Sequence, residues 1–155
     1  MQFSVGDVFL WSNFPFIRDL DSTPKPRWFL YLGKTAYGVT PIIAYCCTST
    51  QEDHHKEEYE PGGKRFKNLF LTIPKGEGGF TEASILDFTM NYYSDLSETI
   101  IDTHAADITI QGRLCTDRMR QIYKVILSAR NIPTIQKRDI FNSFNLAGIA
   151  GLKRP

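Results

Sequence analysis

The sequence lacks the features that mark secreted and membrane proteins. It has only three cysteines in 155 residues. Two of them, Cys46 and Cys47, are adjacent, and neighbours on a strand point to opposite faces, so no disulfide framework is visible. The N-terminus has no basic segment followed by an apolar segment, as a signal peptide would, and no apolar run is long enough to span a membrane. These absences predict a cytoplasmic protein without a membrane association.

The chain also lacks an excess of either charge and a metal-binding motif. Its 18 Lys and Arg residues nearly balance 17 Asp and Glu residues, which leaves a formal net charge of +1. A nucleic-acid site would therefore need a local basic cluster rather than a field from the whole molecule. No C-x-x-C spacing occurs, and the pair His54-His55 lies in a polar, acidic stretch that is typical of a solvated loop. We predict neither a metal site nor a cofactor.

What the sequence does contain is a succession of β-type segments followed by helical ones. Aromatic residues make up 13% of the chain, and this favours strands. In the C-terminal third, Met119, Ile122, Tyr123 and Ile126 follow a helical repeat, and a second helix is predicted within residues 134–145. Residues 89–106 are ambiguous. Strands are predicted within residues 5–12, 28–32, 40–47, 64–73, 80–89 and 106–114.

This order of elements predicts a mainly β fold with C-terminal helices. The most common small solution of that kind is an SH3-like β-barrel closed by a helix. Residues 1–130 would form the barrel domain, and residues 131–155 a helical extension of the same domain. The extension contains Ile140, Phe141 and Phe144, which need to pack against other apolar surface.

Several short motifs, taken in order, resemble the PemK/MazF family of toxin ribonucleases. The chain has Gly6-Asp7-Val8 at the first strand, Arg27 at the head of a hydrophobic strand, and Thr48-Ser49 at the end of the next. Further on it has Ser84-Ile85-Leu86-Asp87, and then Gly112-Arg113-Leu114 before an amphipathic helix. The resemblance covers roughly residues 5–130. In the first loop the chain departs from the family pattern, because proline precedes Arg27 rather than following it.

The resemblance implies a metal-independent endoribonuclease that cleaves single-stranded RNA by attack of the 2′-hydroxyl on the adjacent phosphate. That reaction needs a proton acceptor, a proton donor and positive charge on the phosphorane. Arg27 would bind the phosphoryl oxygens, Thr48 (or Ser49, if the register shifts by one) would bond the phosphate, and Asp87 would accept a proton or position Arg27. The family further implies a homodimer that is held inactive by a cognate antitoxin protein.

Two basic segments with interleaved aromatic residues are candidates for RNA contacts. The first contains Lys25 and Trp28, and the second contains Lys64, Arg65 and Lys67, with aromatic rings available to stack on bases. An alternative for both segments is a half-exposed strand with its charges in solvent. The alternative function is a catalytically silent barrel that acts as an RNA- or protein-binding module; a protein of a mobile element that shares only the barrel is a third.

Overall fold

The computed structural model describes residues 1–15, 24–36, 40–48, 60–62, 70–88, 92–93 and 96–155. This part of the chain is mainly β, as predicted, with helices towards the C-terminus. The strands are β1 (Asp7–Phe14), β2 (Lys25–Lys34), β3 (Pro41–Thr48), β4 (Phe70–Ile73), β5 (Ser84–Asp87), β6 (Tyr92–Tyr93) and β7 (Ile108–Arg113). The helices are α1 (Glu98–Thr103), α2 (Thr116–Ser128) and α3 (Thr134–Leu146), with single 3-10 turns at Glu77–Gly79 and Ala105–Asp107.

The strands form one antiparallel sheet in the order β4-β5-β3-β2-β1-β7, and β6 pairs beside β5 on the same edge of β3. The first three strands follow one another as neighbours, and the last strand returns to pair with the first. Among the described residues no pairing joins β4 to β7, so hydrogen bonds do not close the sheet into a barrel there.

Both faces of the sheet are covered, so its central strands are apolar on both sides. On β2, Trp28, Leu30 and Leu32 belong to a core shared with α2 and α3, whereas Phe29 and Tyr31 belong to a second core on the opposite face. The second core is covered by α1, through Ile101 and the preceding Leu96, and by the N-terminal Phe3. Residues 28–33 are accordingly all buried, which confirms the prediction of a strand buried on both faces.

Helix α1 lies in the segment whose sequence pattern was ambiguous. It has only six residues, too few for a helical repeat of apolar positions to show. Its start is marked by Ser97, whose hydroxyl accepts a hydrogen bond from the amide of Ile100 at 3.2 Å. No helix in the described part of the chain is long and apolar enough to cross a membrane.

The C-terminal extension is an integral part of the domain. Several of its apolar side chains are buried in the core that α2 shares with the sheet, as the apolar content of this segment predicted. Among them are Ile140, Phe144 and Ile149. Helix α3 comes so close to β2 that a Cβ on Gly33 would lie 2.3 Å from the Ser143 side chain. Ser143 Oγ accepts a hydrogen bond from the Lys34 amide at 3.1 Å at this crossing.

Two of the family-like motifs, far apart in sequence, hold the first and last strands together. Gly6 has φ of +92°, which few other residues adopt, and its carbonyl accepts a hydrogen bond from the amide of Leu114. The buried Asp7 carboxylate accepts bonds from the Ser4 amide and from Arg113 Nε, both at 2.7 Å. The Gly-Asp and Gly-Arg-Leu motifs are therefore explained by structure alone, without a catalytic role.

Replacing Phe144 with Ala should lower the free energy of unfolding by about 3–5 kcal/mol, because it leaves a cavity between α3 and the sheet. Leu146, on the same helix but 90% exposed, provides the matched control. Its replacement with Ala should change the free energy by no more than about 0.5 kcal/mol. Urea denaturation of both variants measures this difference, and equal effects would mean that α3 does not dock as described.

The contact between Asp7 and Arg113 is open to a double-mutant cycle. Each of Asp7→Ala and Arg113→Ala should destabilise by about 1–3 kcal/mol, because each removes a charge-assisted bond. The double variant should lose less than the sum of the two, with a coupling of about 1 kcal/mol. Asp102→Ala, at a carboxylate that is 59% exposed, serves as the control and should change little. Additive effects would show that the two groups do not interact in solution.

Candidate functional site

Arg27 lies near the start of β2, opposite Trp11 of β1. It is half-buried and interacts with another group, so it is not a freely solvated surface charge. Its neighbour Trp28 points into the core that α2 and α3 cover, where its ring is 5.3 Å from that of Phe80. Because side chains alternate along a strand, Arg27 lies on the opposite face, the face of Phe29 and Tyr31.

The sheet register brings Arg27 close to Thr48. Trp28 pairs with Cys46, so one further step along the two strands places Arg27 beside residue 47 and next to Thr48. From strand geometry, the Cα atoms of Arg27 and Thr48 are about 6 Å apart. Thr48 in turn pairs with Ser84 of β5. The described side chains do not include that of Thr48, and Ser49 lies outside the described residues.

Asp87 is farther from Arg27 than the sequence-based hypothesis requires. It ends β5, on the other side of β3, and its backbone pairs with Phe70. Because Leu86 pairs with Cys46, which pairs with Trp28, the Cα atoms of Asp87 and Arg27 are about 12 Å apart, across two strands and two residues along them. The side chain of Asp87 is not among those described. The three predicted catalytic positions are thus one close pair and a more distant carboxylate.

The predicted RNA contacts have different outcomes. Trp28 is only 9% exposed and its ring packs in the core, so it is not available to stack on a base. Lys25, at the start of β2, is exposed, as a phosphate contact requires. Lys64, Arg65 and Lys67 lie outside the described residues.

Tyr31, on the same face of the sheet as Arg27, is not a candidate for the general base. Burial raises the pKa of Tyr31 to about 12, and the carboxylates of Glu98 and Asp7 add to the shift. Tyr31 therefore stays protonated at neutral pH. His104 does have partners, although none was visible in the sequence: its ring is 5.4 Å from that of Trp11, and its Nδ1 is 3.9 Å from the Asp107 carboxylate.

No cluster of three or more potential metal ligands occurs in the described ranges. His54 and His55 lie outside those ranges. Cys46 is buried and Cys115 is exposed, and neither forms a disulfide with another described residue. The described residues thus provide neither a chelating group nor a disulfide on which a site could be built.

A basic surface on the C-terminal helices was missed by the sequence reasoning. Nine of the 18 Lys and Arg residues, but only two of the 17 Asp and Glu residues, fall within residues 113–155. The overall charge of +1 hides this, because residues 1–112 carry nine basic and 15 acidic residues. Counting charge by segment would have found it. We call the following residues the basic face: Arg120, Lys124, Arg130, Arg138, Lys153 and Arg154.

A groove of about 770 Å³ runs between the end of β2 and α3, with Asp139 in its wall. Asp139 is only 7% exposed, and no hydrogen bond or ion pair joins it to another described residue. A carboxylate in such a position is poorly solvated, and a cationic group entering the groove would stabilise it. Phe141 and Leu146 add apolar surface to the same groove.

Asp139→Asn should stabilise the protein by on the order of 1 kcal/mol, because it removes a charge that is largely withdrawn from water and has no partner among the described residues. Asp117→Asn is the control: that carboxylate is 84% exposed and pairs with Arg120, so little change is expected. Thermal and urea unfolding of both variants at neutral pH measure the effect. A clear loss of stability in Asp139→Asn would show that this carboxylate has a stabilising partner in solution.

Comparison with known proteins adds no further constraint. No family model, no curated protein and no solved structure matches this chain. The case for a function therefore depends on the residues and their geometry.

Proposed function

We propose that this protein is a metal-independent endoribonuclease of the PemK/MazF toxin type, which cleaves single-stranded RNA through attack of the 2′-hydroxyl. The observation that carries the proposal is the position of Arg27 beside Thr48 on adjacent strands, about 6 Å apart between Cα atoms. Strand alternation assigns the two residues to opposite faces of the sheet, so a phosphate in contact with both would lie at the ends of the two strands rather than over one face.

Arg27 is proposed to stabilise the phosphorane. A guanidinium can donate two parallel hydrogen bonds to phosphoryl oxygens, and it keeps its charge at any physiological pH. Its half-buried setting strengthens the interaction, since charges attract more strongly where less water screens them. The contact gains strength as negative charge builds on the oxygens, so it would act mainly on the transition state.

The other predicted residues take roles that fit their positions. Thr48, or Ser49 next to it, is proposed to bond a phosphate oxygen or orient the attacking hydroxyl. Asp87, about 12 Å from Arg27 between Cα atoms, is better placed to accept a proton from a substrate lying across β3 than to hold Arg27 directly. Lys25, exposed on the same strand as Arg27, would contact a neighbouring phosphate.

The wider setting of the proposal follows the same resemblance. The return of β7 to β1 is compatible with an SH3-like curved sheet, with α2 and α3 across one face. We propose a cytoplasmic homodimer whose activity is blocked by a cognate antitoxin protein.

A binding module without catalysis is the second candidate function. It is favoured by the structural role of the Gly-Asp and Gly-Arg-Leu motifs, which hold β1 to β7 and need no substrate. It is also favoured by the basic face, which offers binding groups but no arrangement for proton transfer. The two candidates differ in a single outcome, namely whether RNA is cleaved.

Arg27→Ala should reduce cleavage of single-stranded RNA in EDTA by about 100- to 1,000-fold, which is the usual effect of losing one preorganised donor. RNA affinity should fall only modestly, and Arg27→Lys should restore little activity, because an ammonium group cannot reproduce the two-point geometry. Lys75→Ala, at a lysine that is 70% exposed, is the control and should retain full activity.

The same measurements separate the alternatives. If Arg27→Ala cleaves RNA as the unmodified protein does, Arg27 has no part in the mechanism. If the unmodified protein leaves a varied set of RNAs intact while binding them, the binding module is the correct function.

A further inference from the structure

The basic face is an arrangement in space as well as a charge count. Arg120 Nε donates a hydrogen bond to the carbonyl of Ala150 at 3.0 Å, and Tyr123 Oη donates one to the carbonyl of Lys153 at 2.8 Å. The last residues therefore lie along α2. This places Lys153 and Arg154 beside Arg120 and Lys124.

The second helix of the layer and the turn before it carry further exposed basic residues. Lys137 Nζ donates a hydrogen bond to the carbonyl of Leu127 at the end of α2, and the ring of Phe141 lies 6.2 Å from that of Tyr123. The two helices are thus side by side. Arg138, next to Lys137 in sequence, and Arg130, in the turn between the helices, are both exposed.

Most of these charges are not neutralised. Two other arginines in this region do bind carboxylates: Arg113 binds Asp7, and Arg118 binds Glu77 through two hydrogen bonds. The bonds to Glu77 raise the pKa of the Arg118 guanidinium. Arg120 has an exposed partner three residues away, an ion pair of little energetic weight. In the described part of the chain no carboxylate lies within 4 Å of the remaining members of the basic face: Lys124, Arg130, Arg138, Lys153 and Arg154.

Repulsion among the positive charges of the basic face slightly lowers the stability of the folded protein. Arg120 and Lys124 are four residues apart on α2, a spacing at which like charges repel by about 0.2–0.5 kcal/mol. The acidic residues that would relieve this repulsion are concentrated in residues 1–112 instead. A multivalent anion bound to the surface would relieve it and would gain several phosphate contacts at once.

We propose that the basic face binds the phosphate backbone of single-stranded RNA. The ligand class rests on the proposed function, but the binding needs no catalysis. Protein partners are a poorer fit, because the core of a protein interface is apolar and depleted of charged residues. Leu146, a large apolar side chain that α3 exposes, lines the groove with Asp139 rather than the basic face.

The basic face and Arg27 lie on different sides of the sheet. Helices α2 and α3 cover the face of Trp28, whereas Arg27 alternates to the other. Binding by the helical layer and cleavage at Arg27 are therefore separable properties. The helical layer would hold an RNA chain by its backbone, without regard to sequence, while another part of that chain reaches β2 and β3.

The test uses a fluorescent 2′-O-methyl oligouridylate of about 16 nucleotides, which binds as RNA does but cannot react through its 2′-hydroxyl. Anisotropy titrations over about 50–200 mM salt compare two double variants of the full chain. Lys124→Gln/Arg154→Gln removes two charges from the basic face. Lys34→Gln/Lys75→Gln removes two exposed lysines elsewhere, so the change in net charge is the same.

We expect the basic-face variant to bind at least about 10-fold more weakly at the lowest salt, with a salt slope shallower by about 1.4, or 0.7 for each lost contact. The control variant should stay within about twofold of the unmodified protein, since its charges do not touch the RNA. Equal losses in the two variants, or no binding by the unmodified protein, would overturn the proposal. So would tighter binding of oligoglutamate than of the RNA analogue, because it would identify an acidic protein as the ligand.

Cleavage of unmodified RNA by the same proteins distinguishes this inference from the proposed function. Binding that depends on the basic face, without any cleavage, would support the inference and overturn the ribonuclease proposal. Cleavage that depends on Arg27, with RNA affinity unchanged in the basic-face variant, would support the ribonuclease proposal and overturn the inference.

Discussion

The pairing of the first strand with the last is the interaction on which the rest of this structure depends. It is anchored by a buried carboxylate, Asp7, that binds Arg113, and by the backbone bond between Leu114 and Gly6. Because α2 begins directly after this point, the same contact sets where the helical layer starts. The positions of the sheet and of the helices α2 and α3 follow from that junction. So do the positions of Arg27 and of the basic face, which these two layers carry.

Local features of the chain were predictable because they depend on local patterns. The strand containing Trp28 was recognised by its continuous apolar run, and α2 by the spacing of Met119 and Ile122. The apolar residues of the C-terminal segment correctly indicated that it packs on the sheet. Six-residue α1 was not recognised, since a segment of that length has no periodicity to read.

The candidate site could be predicted only in part, because it depends on register between strands. The residue types of Arg27 and Thr48 were visible in the sequence, but their adjacency follows from the pairing of Trp28 with Cys46. The larger separation of Asp87 follows from β3 lying between β2 and β5. Trp28 looked like a stacking residue beside basic ones, yet burial in the core decides its role. The basic face escaped notice because opposite charges elsewhere in the chain cancel it in the total.

The docking of α3 has a consequence for how the protein is made. The face of β2 that carries Trp28 and Leu30 is completed by Phe144 and Ile149, which come much later in the chain. Because synthesis proceeds from the N-terminus, this apolar face stays uncovered until α3 and the residues after it have left the ribosome. During that interval the partly made sheet exposes apolar surface, which is the condition under which growing chains are prone to aggregate.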